Sequence, residues 1–271
     1  MPLTVNTNVA SLTAQRSMLT TNSALETSFE RLATGKRINS AVDDAAGLAI
    51  SETLTTSING LNQAVRNAQD GVSMAQIAEG ALSEVSDLLQ RMRELSVQAN
   101  NEVLSSTELG YIKAEIDALV LATTTAIGGA EFAGTSLLGS GGDIDIQTGA
   151  GATDTTTFTV TNTTTTTLGI NALDVTAAGG PATDIGLIDT AIATVNSQRS
   201  QLGADQAAFE SAIRNAMNVS ENTAAARSRI LDTDYAAETA NLTKNQILQQ
   251  ASTSILAQAN QQPQSVLALL Q

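Results

Sequence analysis

The chain has 271 residues, 42% apolar but only 2% aromatic, with a formal charge of −14 from 27 acidic and 13 basic side chains. It contains no His, Cys or Trp, which excludes His-based triads, thiolate catalysis, disulfides and His- or Cys-ligated zinc. The acidic balance argues against nucleic acid as a partner, because phosphate binding needs a basic patch.

The first element is a helix from about Thr7 to Thr34, closed by Gly35 at the C′ position. Its apolar stripe is Val5, Val9, Leu12 and Leu19, resumed by Leu25, Phe29 and Leu32. Termini normally fray, so a continuous stripe at the end of a chain points to a partner. A short basic segment, Lys36-Arg37, follows. Ser40 and Asp43 then stand at capping-box spacing and open a helical run through Ala45, Ala46, Leu48 and Ile50.

From Ile58 a heptad becomes regular: Ile58, Leu61, Val65, Ala68, Val72 and Ala75. It shifts phase and continues as Ala78, Ala81, Val85, Leu88, Met92, Leu95 and Ala99. At roughly 1.5 Å per residue this rod would be about 60 Å long. Asn100-Asn101 ends it. Ser105 and Glu108 form a second capping-box pair, starting a helix to about Ile127 with Ile112, Ile116, Leu119 and Val120 as its apolar face.

The middle differs. Twelve of the 19 glycines lie between Gly128 and Gly186, and eleven of the fifteen residues from Thr153 to Thr167 are threonine. Ile144 and Ile146 alternate with Asp143 and Asp145 in the period-two manner of a half-exposed strand, and threonine favours strands. The expectation is a small antiparallel hairpin region of three or four short strands, with a disordered low-complexity tract as the competing reading.

A second rod helix is expected from about Asp184 to Ile230. Its heptad runs Ile188, Ile192, Val195, Arg199, Leu202, Gln206, Phe209, Ile213, Ala216, Ser220, Thr223, Arg227 and Ile230. Polar seam positions of this kind fix register at some cost in stability. After a break at Asp232-Thr-Asp234, the last helix, about Ala236 to Leu269, carries Leu248, Ala251, Ile255, Ala259, Val266 and Leu269.

The order is therefore arm, rod, short helix, hairpin, rod, arm. The fold class is mainly α: an elongated antiparallel helical rod, a coiled-coil-like bundle, with a β-hairpin region at its tip and two paired terminal helices. The expected divisions are an N-terminal arm at 1–40, a rod at 41–231 with the hairpin region at about 128–183, and a C-terminal arm at 232–271. An isolated helix with an apolar stripe has nothing of its own to bury it against. The arms need each other, other copies of the chain, or both. The polymerisation candidates are Val5, Val9, Leu12, Leu19, Leu248, Ile255, Val266 and Leu269. No membrane span is expected, since no run of about 18 apolar residues exists. A cleaved signal is not expected either, since Met1 to Ala10 lacks a basic n-region and an apolar h-region.

The wording of several segments is more specific than their heptads. Arg37-Ile-Asn-Ser-Ala-Val-Asp-Asp-Ala-Ala-Gly-Leu-Ala-Ile50 closely resembles the N-terminal signature of bacterial flagellins, and Leu89-Gln-Arg-Met-Arg-Glu-Leu-Ser-Val-Gln98 resembles another flagellin segment. Ala226-Arg-Ser-Arg-Ile-Leu-Asp-Thr-Asp-Tyr-Ala236, Ile247-Leu-Gln-Gln-Ala251 and Leu256-Ala-Gln-Ala-Asn-Gln261 resemble the C-terminal one. Together they cover roughly 1–127 and 184–271. Larger flagellins insert outer domains where this chain has only Gly128 to Pro181.

The resemblance implies a structural subunit of the flagellar filament, used for swimming and exported unfolded through the flagellar type III channel to the cell exterior. Its arms would be disordered in the monomer and fold on assembly. The chain would have no enzymatic activity and no cofactor. Implied partners are other copies of itself, an export chaperone, the filament cap and the hook-junction proteins. A hook–filament junction protein is the alternative within the same export system. The resemblance also marks Gln90, Arg91, Leu95 and Glu115 as candidates for recognition by the vertebrate Toll-like receptor for flagellin. An Arg beside an apolar anchor suits an interface hot spot, although Leu95 also lies on the rod's own apolar stripe.

Overall fold

A computed structural model describes residues 7–268, with side chains to residue 261. Val5 and Leu269, and the side chain of Val266, lie outside the described residues. The chain divides into two compact units, 57–221 and 1–56 together with 222–271. The boundary falls within the two longest helices rather than at the interruptions on either side of them.

Five helices and four short strands are described: α1 (Val9–Thr34), α2 (Ala41–Ala99), α3 (Ser106–Gly129), β1 (Glu131–Phe132), β2 (Thr135–Ser136), β3 (Gly142–Gln147), β4 (Thr155–Val160), α4 (Gly180–Leu231) and α5 (Tyr235–Ala268), with a 3-10 turn at Ile170–Ala172. The class is mainly α, as its heptads require. β1 pairs antiparallel with β2, and β3 pairs antiparallel with β4. Ile144 stands opposite Phe158. The β-branched, period-two segments thus form strands rather than a disordered tract.

In the unit 57–221, α2, α3 and α4 share one core with the hairpin. Its fully buried centre includes Leu82, Leu89, Met92, Ile116, Ile188, Leu202, Phe158 and Phe209. The single stripe read on α2 is incomplete: Leu82 and Leu89 are buried, while the expected Ala81 and Leu88 are half-buried. A helix covered on two sides buries two adjacent rows, and one heptad describes only one of them. α4 makes the same point. From Asp184 to Phe209 its buried residues are Asp184, Ile188, Ala191, Val195, Gln198, Leu202, Asp205 and Phe209, an unbroken alternation of fours and threes. The expected seam positions Ile192, Arg199 and Gln206 each lie one residue beyond it.

Gln198 and Asp205 face inward because the outer edge of β4 lies against α4. Asp205 Oδ2 accepts from the Thr159 N–H at 3.0 Å. Gln198 donates to the Thr159 carbonyl at 3.1 Å and accepts from the Thr161 N–H at 3.3 Å. Two helical side chains therefore take the place of a neighbouring strand and satisfy an edge that would otherwise be open. On the other side, Asn67 of α2 donates to the Gln147 carbonyl at 3.1 Å. A β-carbon on Gly60 would lie 3.2 Å from that of Ala150. The hairpin thus lies along the flanks of α2 and α4, not beyond their ends. That corrects the expectation of a β tip: Phe158 and Val160 are buried, and only a lateral position covers them.

The α3 capping box forms as expected. The Ser105 N–H donates to Glu108 Oε2 at 2.7 Å, and Ser105 Oγ accepts from the Glu108 N–H at 3.4 Å. The Ser105 N–H most, and then the Ser105 hydroxyl, which donates to the same carboxylate oxygen at 2.8 Å, hold the Glu108 carboxyl below its ordinary pKa.

In the other unit, α1 ends as read: Gly35 adopts φ 71°, and its N–H donates to the Arg31 carbonyl at 2.9 Å. The Ser40–Asp43 pair forms only half a box. Asp43 Oδ2 accepts from the Ser40 and Asn39 N–H groups, which lowers its pKa, but Ser40 Oγ turns to the same carboxylate. The helix is capped instead by Asp44, which is extended (φ −165°) and accepts from the Gly47 N–H at 2.9 Å. The segments after α1 and α4 meet in an antiparallel bridge between Lys36 and Asp232.

Candidate functional site

The expected functional surface is the pair of terminal helices, and its geometry differs from the apolar stripes read on each. On α1 the residues turned toward α5 are Ser11, Ala14, Met18, Thr21, Leu25, Ser28 and Leu32. On α5 they are Glu238, Leu242, Asn245, Gln249, Ser252, Leu256 and Ala259. Both sets alternate threes and fours without interruption, as a coiled-coil seam must, yet half of their members are polar. Four contacts tie the helices antiparallel. Asn8 donates to the Ala259 carbonyl at 2.7 Å, Ser11 Oγ to Asn260 Oδ1 at 2.8 Å and Gln249 Nε2 to Asn22 Oδ1 at 2.9 Å. Arg31 pairs with Glu238 at 3.8 Å.

Met18, Leu25, Leu32, Leu242 and Leu256 lie in this seam, but other large apolar side chains stand off it. Val9, Leu12 and Leu19 are exposed on α1, Leu19 at 71%. Ile247, Leu248 and Ile255 are exposed on α5, Ile255 at 57%. Between the helices runs a groove of about 460 Å³, bordered by Val9, Ala10, Thr13, Ala14, Ser17, Ser252 and Ile255. The candidates Val9, Leu12, Leu19, Leu248 and Ile255 are thus all on the surface of the pair. A seam of mixed apolar and polar residues joins α1 to α5, and these five candidates lie outside it.

The second set of candidates lies on α2 and α3. Arg91 reaches Glu115 at 2.8 Å and Glu94 at 3.2 Å. The two carboxylates raise the Arg91 pKa, the hydrogen bond to Glu115 contributing most. Gln90, Arg91 and Glu115 are accessible. Leu95 is not: at 2% exposure it belongs to the core shared by α2, α3 and α4. As a surface anchor it is corrected, because its place on the rod's stripe buries it.

Among the described residues, no helix is long and apolar enough to cross a membrane, and no cluster of three or more acidic side chains is arranged to hold a metal ion.

Residues 5–141 match the model of the bacterial flagellin N-terminal helical region, and residues 185–270 match that of the C-terminal helical region. The chain belongs to the bacterial flagellin family. It is 38% identical to flagellin B of Vibrio anguillarum, over all of both chains, and 39% identical to the flagellar filament 33 kDa core protein of Treponema phagedenis, over 98% of this chain and 99% of that one. The Vibrio alignment runs over 375 positions and the Treponema alignment over 285. The Vibrio flagellin therefore carries many residues that this flagellin lacks. A crystal structure of Bacillus cereus flagellin superposes with a TM-score of 0.51 at 29% identity, covering 56% of this chain and 88% of that one. Relatives matched along their whole length are flagellins and a filament core protein, which favours the filament subunit over the hook-junction reading.

The flagellin residues that sequence reasoning missed are the polar ones: Asn22 and Gln249 between the arms, and Gln198 and Asp205 under the hairpin. Asn22 lies one residue beyond the seam position Thr21, whereas heptad spacing at polar positions was the available signal for Gln198, Asp205 and Gln249. A reading that follows large apolar side chains passes over it.

Proposed function

We infer that this flagellin is the structural subunit of a bacterial flagellar filament and that its terminal helices carry polymerisation. One observation carries the reading: the seam between α1 and α5 leaves Val9, Leu12, Leu19, Leu248 and Ile255 outside it and in water. Each such side chain gains roughly 1.5–3 kcal/mol on full burial, so a helical homopolymer that covers them is strongly favoured over the monomer.

Family membership supports the remainder. The subunit is exported by the flagellar type III route and resides in the extracellular filament. It meets an export chaperone before export, and the filament cap and the hook-junction proteins outside the cell. Gln90, Arg91 and Glu115 form the exposed face offered to the vertebrate Toll-like receptor for flagellin. Purified chain mixed with filament seeds and imaged beside a version truncated at both arms tests the central reading. Tubes from the full chain alone are expected. Tubes from neither would point to a junction or capping role.

A further inference from the structure

The seam between α1 and α5 contains a chemical match that only one alignment of the two helices satisfies. Gln249 on α5 donates to Asn22 on α1 at 2.9 Å, and both amides are half-buried. Sliding α5 by one heptad in either direction would bring Leu242 or Leu256 to the place of Gln249. Either leucine would cover the Asn22 amide and leave it without a partner, and an amide buried unpaired is costly. The remaining α1 seam residues discriminate less, because Ser11, Ala14, Thr21 and Ser28 tolerate most neighbours and Met18, Leu25 and Leu32 accept any apolar one. Ser11 to Asn260 and Asn8 to the Ala259 carbonyl secure the same alignment near the chain ends.

We propose that Asn22 and Gln249, supported by Ser11, Asn260 and Asn8, form a register lock that fixes α1 against α5 so that the exposed apolar faces of the two arms present a single polymerisation surface. The lock holds exposed Leu12 and Leu19 of α1 in one fixed relation to exposed Leu248 and Ile255 of α5. Its function is specificity, obtained at a cost in the stability of the pair. An all-apolar seam would bind more strongly and would accept several alignments, each offering a different outer surface. This inference rests on the filament reading given above.

The absence of native cysteine permits a direct test. By interpolation between the Ser11–Asn260 and Asn22–Gln249 bonds, position 18 lies level with 253, so Ser252 is the seam residue beside Met18, whereas Asn245 and Ala259 lie one heptad to either side. The full chain is prepared with Met18→Cys combined in turn with Ser252→Cys, Asn245→Cys or Ala259→Cys. Each is treated with a short thiol cross-linker, both as monomer and after seeded assembly. In the parent background only the Ser252→Cys pair should link. With Asn22→Leu and Gln249→Leu added, the shifted pairs should also link and tube formation should be lost, while helicity by circular dichroism is retained or rises. The exchange Asn22→Gln with Gln249→Asn should restore the single pair and the tubes.

Retention of one register and normal assembly by the Leu variant would overturn the proposal. So would failure of the exchange variant to restore either. If the parent itself forms no tubes, the filament reading fails, yet the cross-linking pattern still decides whether the lock exists.

Discussion

Gly71 of α2 lies directly under Phe209 of α4. A β-carbon at Gly71 would stand 3.0 Å from Phe209 Cζ and 2.8 Å from Ile146 Cδ1, so helix and hairpin close together only over a bare backbone. Phe209 is fully buried at that point. Gly71→Ala gains up to about 1 kcal/mol of helix propensity, but overpacking costs roughly 1–3 kcal/mol. A net loss of about 1 kcal/mol is expected. Gly80, on the same helix, has open space where its β-carbon would be, so Gly80→Ala should stabilise. Denaturant midpoints of the two variants should therefore move in opposite directions.

Asp205 and Gln198 substitute for a strand beside β4. Asp205→Ala removes the acceptor of the Thr159 N–H and should cost about 1–3 kcal/mol, the range for a buried donor left unpaired. Amide exchange should accelerate first at Thr159, before the helices respond.

Asp184 is buried near the start of α4, with Oδ2 lacking any partner. Desolvation raises its pKa most, the neighbouring Asp174 charge adds to the rise, and the Asp174 N–H and Lys113 oppose it. A carboxyl whose folded pKa is raised contributes stability that is full below its unfolded value and is lost as pH climbs through the folded value. Asp184→Asn can accept the same N–H without the charge. It should be more stable than the parent near neutral pH, and the advantage should disappear below about pH 4, the ordinary carboxylate range. Melting temperatures across that interval test the sign.

Arg91 joins α2 to α3 through exposed ion pairs, and exposed pairs hold little stability. Arg91→Ala should leave the melting temperature essentially unchanged while reducing activation of the Toll-like receptor for flagellin by monomer. Undiminished activation would remove Arg91 from that surface. Leu95→Ala, by contrast, should destabilise by roughly 2–5 kcal/mol as a core truncation.

Much of this architecture is legible in the sequence because local rules act alone there. Gly35 stops α1, Ser105 with Glu108 starts α3, and Ile144 and Ile146 alternate into β3, each through neighbours only a few residues away. What escaped depended on distant partners. The lateral seat of the hairpin is set by Gly60, Gly71, Gln198 and Asp205, which lie far from it in sequence. Leu82 and Leu89 are buried because α2 has neighbours on two sides. On the arms, Leu19 and Leu248 mark a surface, while the Asn22–Gln249 bond in the joint depends on a partner far away in sequence.

The account stands or falls on whether the uncovered apolar side chains of the arms drive assembly. Ile255→Asp tests this with one substitution at a groove-lining, exposed position, where the intact seam needs no change and burial of an unpaired charge is prohibitive. The decisive measurement is the critical concentration for seeded assembly of Ile255→Asp against the parent, with circular dichroism of both monomers. Loss of tubes at unchanged helicity is the predicted result. Assembly of Ile255→Asp at the parent's critical concentration would contradict the account.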